Sequence, residues 1–158
     1  PQDTQQPVSI EADRAELDEQ NETSIYTGNV VLQQGGIKMN AEKITVLSKD
    51  NQLQRIIAEG SPVTFFQSRE NQENIRGSSF RMEYEVETKQ LLLLKDSELW
   101  QGKNKFGGHR ILFNPENEKV IATGSLDDSG KQKQRLQIIL QPKTDNQSKK
   151  NNKDKTHE

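Results

Sequence analysis

The sequence predicts an all-β protein built as an elongated stack of antiparallel strands. Three observations predict it: apolar and polar residues alternate with a period of two, turn-forming residues break that alternation, and two copies of one plan follow each other.

The alternation starts just after Pro7 with Val8, Ile10 and Ala12 and continues with Tyr26, Gly28, Val30 and Leu32, up to a turn at Gln34-Gly35-Gly36. Ile37, Met39 and Ala41, then Ile44 and Val46, carry it to Lys49-Asp50-Asn51. Ile56 and Ala58 precede Glu59-Gly60-Ser61-Pro62, read as a turn, and Val63 and Phe65 precede Arg76-Gly77-Ser78, read as another. Residues 80–87 are the clearest strand. Phe80, Met82, Tyr84 and Val86 share one face, and Arg81, Glu83, Glu85 and Glu87 share the other, whereas a helix would scatter them around its circumference. Gly107-Gly108 reads as a turn before Ile111 and Phe113; Asn114-Pro115-Glu116-Asn117 and Asp127-Asp128-Ser129-Gly130 are the next turns. Leu136, Ile138 and Leu140 close the pattern before Pro142.

The two copies span about residues 8–60 and 75–124. Ile56-Ile57-Ala58-Glu59-Gly60 corresponds to Val120-Ile121-Ala122-Thr123-Gly124, and Gln34-Gly35 to Gln101-Gly102. Asn40-Ala41-Glu42-Lys43-Ile44 corresponds to Gly107-Gly108-His109-Arg110-Ile111. A repeated multi-strand unit favours a quasi-one-dimensional structure over a compact barrel.

Composition narrows the function. With 29% apolar residues in 158, the chain has enough for one domain with a thin core. A net charge of −2 gives no electrostatic footprint for nucleic acid. The absence of cysteine removes disulfides and thiolate chemistry, and the longest strictly apolar run, residues 91–94, is far too short for a membrane-spanning helix. The start at Pro1-Gln2-Asp3-Thr4, without methionine, is expected of an exported protein that has lost its signal peptide, the reading favoured over a trimmed chain. Residues 1–6 are expected to be a flexible N-terminus. Residues 142–158, rich in lysine and lacking Leu, Ile, Val and aromatics, are expected to be a disordered tail. Residues 7–141 form the folded domain.

Catalysis finds little support. His109 is the only histidine before the tail, and one histidine without cysteine is a poor start for a metal site. Glu83, Glu85 and Glu87 face away from the apolar side, as a solvated outer face would, not across a cleft as paired glycosidase carboxylates must. The residues from Gly102 to Gly108 lack P-loop order. The informative feature is the apolar face itself. Two such faces could close into a dry sandwich. If they close incompletely, the channel would take acyl chains, at roughly 0.8 kcal/mol per buried CH₂. The candidate lining residues are Val8, Ile10, Tyr26, Val30, Leu32, Met39, Phe65, Phe80, Met82, Tyr84 and Val86, with Trp100 a further candidate.

Ile10-Glu11-Ala12-Asp13, Leu17-Asp18, Thr27-Gly28-Asn29-Val30, Gln34-Gly35, Ile37 and Asn40-Ala41-Glu42, in this order, resemble the OstA-like family. The resemblance implies a twisted, V-shaped antiparallel β-jellyroll of paired sheets with an apolar interior. It implies a non-enzymatic periplasmic protein that shelters lipid A acyl chains of lipopolysaccharide and needs no cofactor. The partners implied are inner-membrane and outer-membrane lipopolysaccharide-transport components and further copies of the chain, stacked head to tail. The docking edges would be Val8, Ser9, Ile10, Glu11 and Ala12 at one end and Leu136, Gln137, Ile138, Ile139 and Leu140 at the other. The second copy departs from the pattern, with Lys95-Asp96-Ser97 read in the place of Thr-Gly-Asn. A structural β module with a dry core, or a β-solenoid or jellyroll enzyme acting on polysaccharide, are the competing readings.

Overall fold

A computed structural model of the chain describes residues 6–126 and 128–142, so the expectations for the first residues and for the lysine-rich tail lie almost wholly outside the described residues. The described residues contain strands and no helix. The strands are β1 (Ser9–Glu11), β2 (Arg14–Asp18), β3 (Thr23–Gln34), β4 (Ile37–Lys49), β5 (Gln52–Gln67), β6 (Ile75–Glu85), β7 (Gln90–Gln101), β8 (Asn104–Asn114), β9 (Lys119–Thr123), β10 (Ser125–Leu126), β11 (Gln132–Gln134) and β12 (Gln137–Ile139). Ten of them form one sheet in which β3 to β8 are neighbours in chain order, and β10 and β11 pair separately.

Tight hairpins set the order. Gly35 (φ 56°) turns β3 into β4, Asp50 and Asn51 (φ 53° and 63°) turn β4 into β5, and Gly102 (φ 59°) turns β7 into β8. These left-handed conformations match the twist of two-residue hairpin loops, which explains why Gly, Asn and Asp occupy them.

A line of irregularities crosses the sheet. The register shifts between Thr27 and Val30, Asn40 and Lys43, Glu59 and Val63, Ser78 and Arg81, and Leu94 and Ser97, each midway along the strand, while a further shift between Leu47 and Ser48 lies beside the β4–β5 turn. Bulges bend a strand, and bulges aligned across neighbouring strands crease the whole sheet. Each long strand therefore contributes one segment to each of two leaves. One leaf is bounded by β2 and β9, and the other by β1 and β12.

The crease explains two of the sequence motifs. Asp13 sits between β1 and β2, and its N–H donates to the carbonyls of Thr27 (3.1 Å) and Gly28 (3.0 Å). Its carboxylate accepts from Asn29 Nδ2 at 3.2 Å. Gly28 has φ +85°, and a Cβ there would stand 2.5 Å from Asp13 Oδ2. The Ala-Asp and Thr-Gly-Asn motifs are thus the two halves of one fold line.

The second copy makes the same crease with different residues, and this corrects three expectations. Lys95 (φ 68°) and Asp96 (φ 46°) repeat the backbone of Gly28 and Asn29 (φ 85° and 46°). The equivalent of Thr27-Gly28-Asn29 is therefore Leu94-Lys95-Asp96, one residue earlier than the reading with Lys95-Asp96-Ser97. Leu99 consequently points inward and is buried, and Trp100 lies on the outer face, paired with Arg76 and Lys105. By the same offset Phe80 stands where Asp13 does, on the fold line. The unbroken alternation of residues 80–87 extends one position too far. The bulge between Ser78 and Arg81 reverses the parity, so Ser79 is buried and Phe80 is 41% exposed.

Three expected turns are strand interior. Gly60-Ser61-Pro62 lies within β5, Gly77 within β6, and Gly107-Gly108 within β8. The glycines answer close approach: a Cβ on Gly77 would meet Leu93 Cδ2 at 3.2 Å, and one on Gly108 would stand 3.0 Å from both Leu136 and the Thr123 carbonyl. Near the crease the leaves meet in a dry core that includes Val30, Ile44, Ala58, Val63, Met82, Leu93, Leu99 and Ile111, all at most 1% exposed. Buried Ser79 and Ser97 donate to the carbonyls of Arg81 (2.8 Å) and His109 (3.2 Å), satisfying groups the bulges free.

Candidate functional site: an apolar trough between two leaves

Away from the crease the leaves diverge. Leu32, Ile37, Met39 and Phe65 of one leaf face Leu53, Ile56, Tyr84 and Leu91 of the other across a cavity of about 1340 Å³. That exceeds the roughly 300–1,000 Å³ of ordinary small-molecule pockets. The wall is apolar because alternate residues of long strands project to one side. The rim is polar because it is made of strand ends and turns: Gln34, Gln67, Ser68, Arg69 and Gln72 on one lip, Gln52, Lys89, Glu116 and Glu118 on the other.

Charged contacts line the mouth. Arg69 Nη1, in the loop after β5, lies 2.5 Å from Glu118 Oε1, in the turn before β9, so the pair joins opposite leaves. Gln101 Nε2 donates to the same oxygen at 3.1 Å. Arg69 Nε donates to the Glu73 carbonyl at 2.8 Å, which fixes the guanidinium. Lys89 Nζ lies 2.7 Å from Glu116 Oε1, and this hydrogen bond raises the lysine's pKa above its ordinary value. The Tyr84 phenol, half-buried in the wall, is raised as well, chiefly by burial. An apolar wall with an ionic rim desolvates a hydrocarbon and keeps a polar head at the surface.

The sequence-predicted lining residues divide into four groups. Leu32, Met39, Phe65, Tyr84 and Val86 line the cavity, the first three as buried members of the core and Tyr84 packed against it. Val30 and Met82 are in the dry core, and Ile10 and Tyr26 pack against it. Phe80 is on the exterior, and Val8, 38% exposed, precedes β1. Ile37, Leu53, Ile56 and Leu91 line the cavity and were absent from the predicted set. Ile37 and Ile56 already stood in the period-two pattern. Glu83 is more enclosed than a solvated face requires: its carboxylate is 2.5 Å from Arg55 Nη2 and 3.0 Å from Arg81 Nε, on the outer surface. Among the described residues no group of three or more His, Asp or Glu is placed to hold a metal.

The two ends of the sheet carry single-sided strands. Among the described residues β1 and β2 pair only with β3, and β9 and β12 pair only with β8. The expected edge residues contract to Ser9, Ile10 and Glu11 in β1 and Gln137, Ile138 and Ile139 in β12, with Val8, Ala12, Leu136 and Leu140 beside them. Both ends expose apolar side chains, Leu17 (70%) at one, Ile121 and Ile138 (53%) at the other.

Residues 9–119 match the family described as LptA/(LptD N-terminal domain) LPS transport protein. The chain is 32% identical over 142 residues to the lipopolysaccharide export system protein LptA of Escherichia coli K12, covering 89% of this chain and 74% of that protein. It is 27% identical to the export system protein LptH of Pseudomonas aeruginosa, over 90% and 83% of the two chains. The crystal structure of LptH, described as the LptA-homologous periplasmic component of the lipopolysaccharide transport device of that organism, superposes with a TM-score of 0.81 at 24% identity. It covers 90% of this chain and all of that one, and establishes the β-jellyroll-like fold.

Proposed function

Since this chain belongs to the LptA/LptD N-terminal-domain family of lipopolysaccharide transport proteins, a non-enzymatic family, we propose that it is a periplasmic carrier that shelters lipid A acyl chains in the trough between its leaves. The observation that carries the reading is the unfilled apolar cavity of about 1340 Å³. A purely structural module would close that space, because close packing is worth more than an empty wall. Each CH₂ transferred from water into the trough contributes roughly 0.8 kcal/mol, so partial burial of several chains binds strongly without polar readout. The side chains desolvate the chains and do no covalent chemistry.

The two sheet ends extend the proposal to assembly. Unpaired edges are normally liabilities. Here the β1/β2 edge of one copy would pair with the β9/β12 edge of the next, adding main-chain hydrogen bonds. The edges differ, so the contact is head-to-tail and does not close on itself. Eight strand segments per leaf at ~4.8 Å make one copy about 40 Å long, so copies or partners in series are needed to link transport components of the inner and outer membranes.

The test is a photo-crosslinking residue placed at Tyr84 and, separately, at Phe80. Adducts with lipopolysaccharide are expected at Tyr84 and not at the outward Phe80. Equal labelling at the two positions overturns the trough.

A further inference from the structure

A second feature lies just over the lip of the trough, on the outer face. Cross-strand register puts Lys38, Phe66, Arg76, Trp100 and Lys105 side by side on five successive strands, β4 to β8. At ~4.8 Å per strand this row is about 19 Å long. Trp100 is flanked by cations on both sides, Arg76 Cζ 5.0 Å and Lys105 Nζ 5.7 Å from its ring centroid. These are cation–π distances, so the indole holds both charges in place. Phe66, between Lys38 and Arg76, keeps its own surface open at 38% exposure. The parallel row two residues away supplies neutral hydrogen-bonding groups, Asn40, Thr64 and Ser78. The two rows enclose a shallow groove of about 330 Å³. Beside the cations one carboxylate, Glu98, lies 3.4 Å from Lys105; the second row's other carboxylate, Glu11, is at the far edge on β1.

Fixed cations, an open aromatic face and neutral amide and hydroxyl groups are what a phosphorylated sugar requires. Phosphate takes the charge-assisted bonds, the C–H face of the ring lies on Phe66, and its hydroxyls meet Asn40, Thr64 and Ser78. The position favours the same ligand. The row is one residue, ~3.3 Å along each strand, behind the terminal row that includes Gln34, Ile37 and Gln67 of the trough wall. A lipid with its acyl chains in the trough presents its head at that lip. We propose that the groove over Phe66 binds the phosphorylated saccharide of the lipopolysaccharide whose acyl chains occupy the trough, the chain thus gripping one molecule on both sides of a single leaf. This rests on the trough reading for the identity of the ligand.

Trp100 is the only tryptophan, so its fluorescence reports on the site directly. The probes are intact lipopolysaccharide, its deacylated phosphorylated saccharide, inorganic phosphate and palmitate. A saturable change with the saccharide is expected, and none with palmitate. In the Lys38→Gln/Arg76→Gln double variant the saccharide affinity should fall about tenfold or more, as loss of charge-assisted bonds to phosphate requires. Both residues are exposed, and an unchanged unfolding midpoint confirms that the variant is folded. Silence of Trp100 toward saccharide and lipopolysaccharide, in a protein that still crosslinks lipopolysaccharide at Tyr84, overturns the outer site alone. So does an equal response to inorganic phosphate at the same concentration, or an unchanged affinity in the double variant. Loss of Tyr84 crosslinking with the saccharide response intact overturns the trough and with it the grip on both sides of the leaf, and leaves a saccharide groove alone.

Discussion

Gly28→Ala tests the account of the crease. Two penalties combine at this position. The backbone is held at φ +85°, where an L side chain costs ~1–2 kcal/mol. The new Cβ would also stand 2.5 Å from Asp13 Oδ2 and 2.8 Å from Asp13 Cβ. Asp13 must then leave its seat and give up the 3.2 Å hydrogen bond from Asn29, worth ~0.5–1.5 kcal/mol. The sum is a destabilisation of about 1.5–3.5 kcal/mol, or roughly 5–12 °C in midpoint for a domain of this size. Urea unfolding measures the first figure and calorimetry the second.

A double-mutant cycle separates the two penalties. In an Asp13→Gly background the clash is gone, so Gly28→Ala should cost only the backbone part, ~1–2 kcal/mol. Asp13→Ala should rescue less, because the remaining Cβ is itself 2.8 Å from the new methyl group. The reasoning fails if Asp13→Gly and Gly28→Ala prove additive within ~0.5 kcal/mol, as independent sites are. Asp13 joins β1 to β2, so Gly28→Ala should also loosen the N-terminal edge and lower the oligomer mass at a given concentration.

In the second copy Lys95 holds φ 68° without being glycine. Lys95→Gly should therefore raise the urea midpoint by about 0.5–1 kcal/mol of stability at unchanged slope, the left-handed strain relieved exceeding the added freedom of the unfolded chain; a lower midpoint refutes the equivalence with Gly28. Ile138→Asp, on the exposed face of β12, should lower the oligomer mass seen by light scattering, and an unchanged mass places the end contact elsewhere. The Tyr84 phenol is raised above its ordinary pKa of 10.0 by burial, so its stabilising contribution is complete below pH 10 and is lost as pH rises through the folded-state value. In a Tyr26→Phe background, 295 nm absorbance should show that ionisation above pH 10 and move it higher still when lipopolysaccharide fills the trough. No movement on lipid binding would remove Tyr84 from the site.

The fold was legible wherever the period of two ran without interruption. Ile44 and Val46 in β4 and Ile111 and Phe113 in β8 lie on one side of the sheet because nothing disturbs their alternation. Legibility stopped at the crease. A bulge adds one residue, so every position beyond it changes face. Phe80, expected in the lining, stands outside for this reason, and so does Trp100, the further candidate. The signal was present in the doublets Gly28-Asn29 and Lys95-Asp96, but the second pair contains no glycine and resembles ordinary surface sequence. The rim was legible still less: Arg69 and Glu118 are 49 residues apart, in loops without periodicity, and only the folding of the sheet brings them together.

The same crease reconciles a thin composition with a stable fold and an open trough. Near the fold line the inward residues include Ala41, Ala58, Gly77, Ser79 and Ser97, small enough for the leaves to touch. Phe113, Leu93 and Leu99, fully buried, belong to the same core. Toward the ends of β3, β4 and β5 the cavity opens beside Leu32, Ile37 and Ile56, whose side chains form its wall. The inner surface is thus shared between dry core and cavity wall, which asks less of a chain with 29% apolar residues. The trough lies between leaves joined at the crease, so residues outside its wall, Asp13 and Gly28 among them, set how the leaves are held.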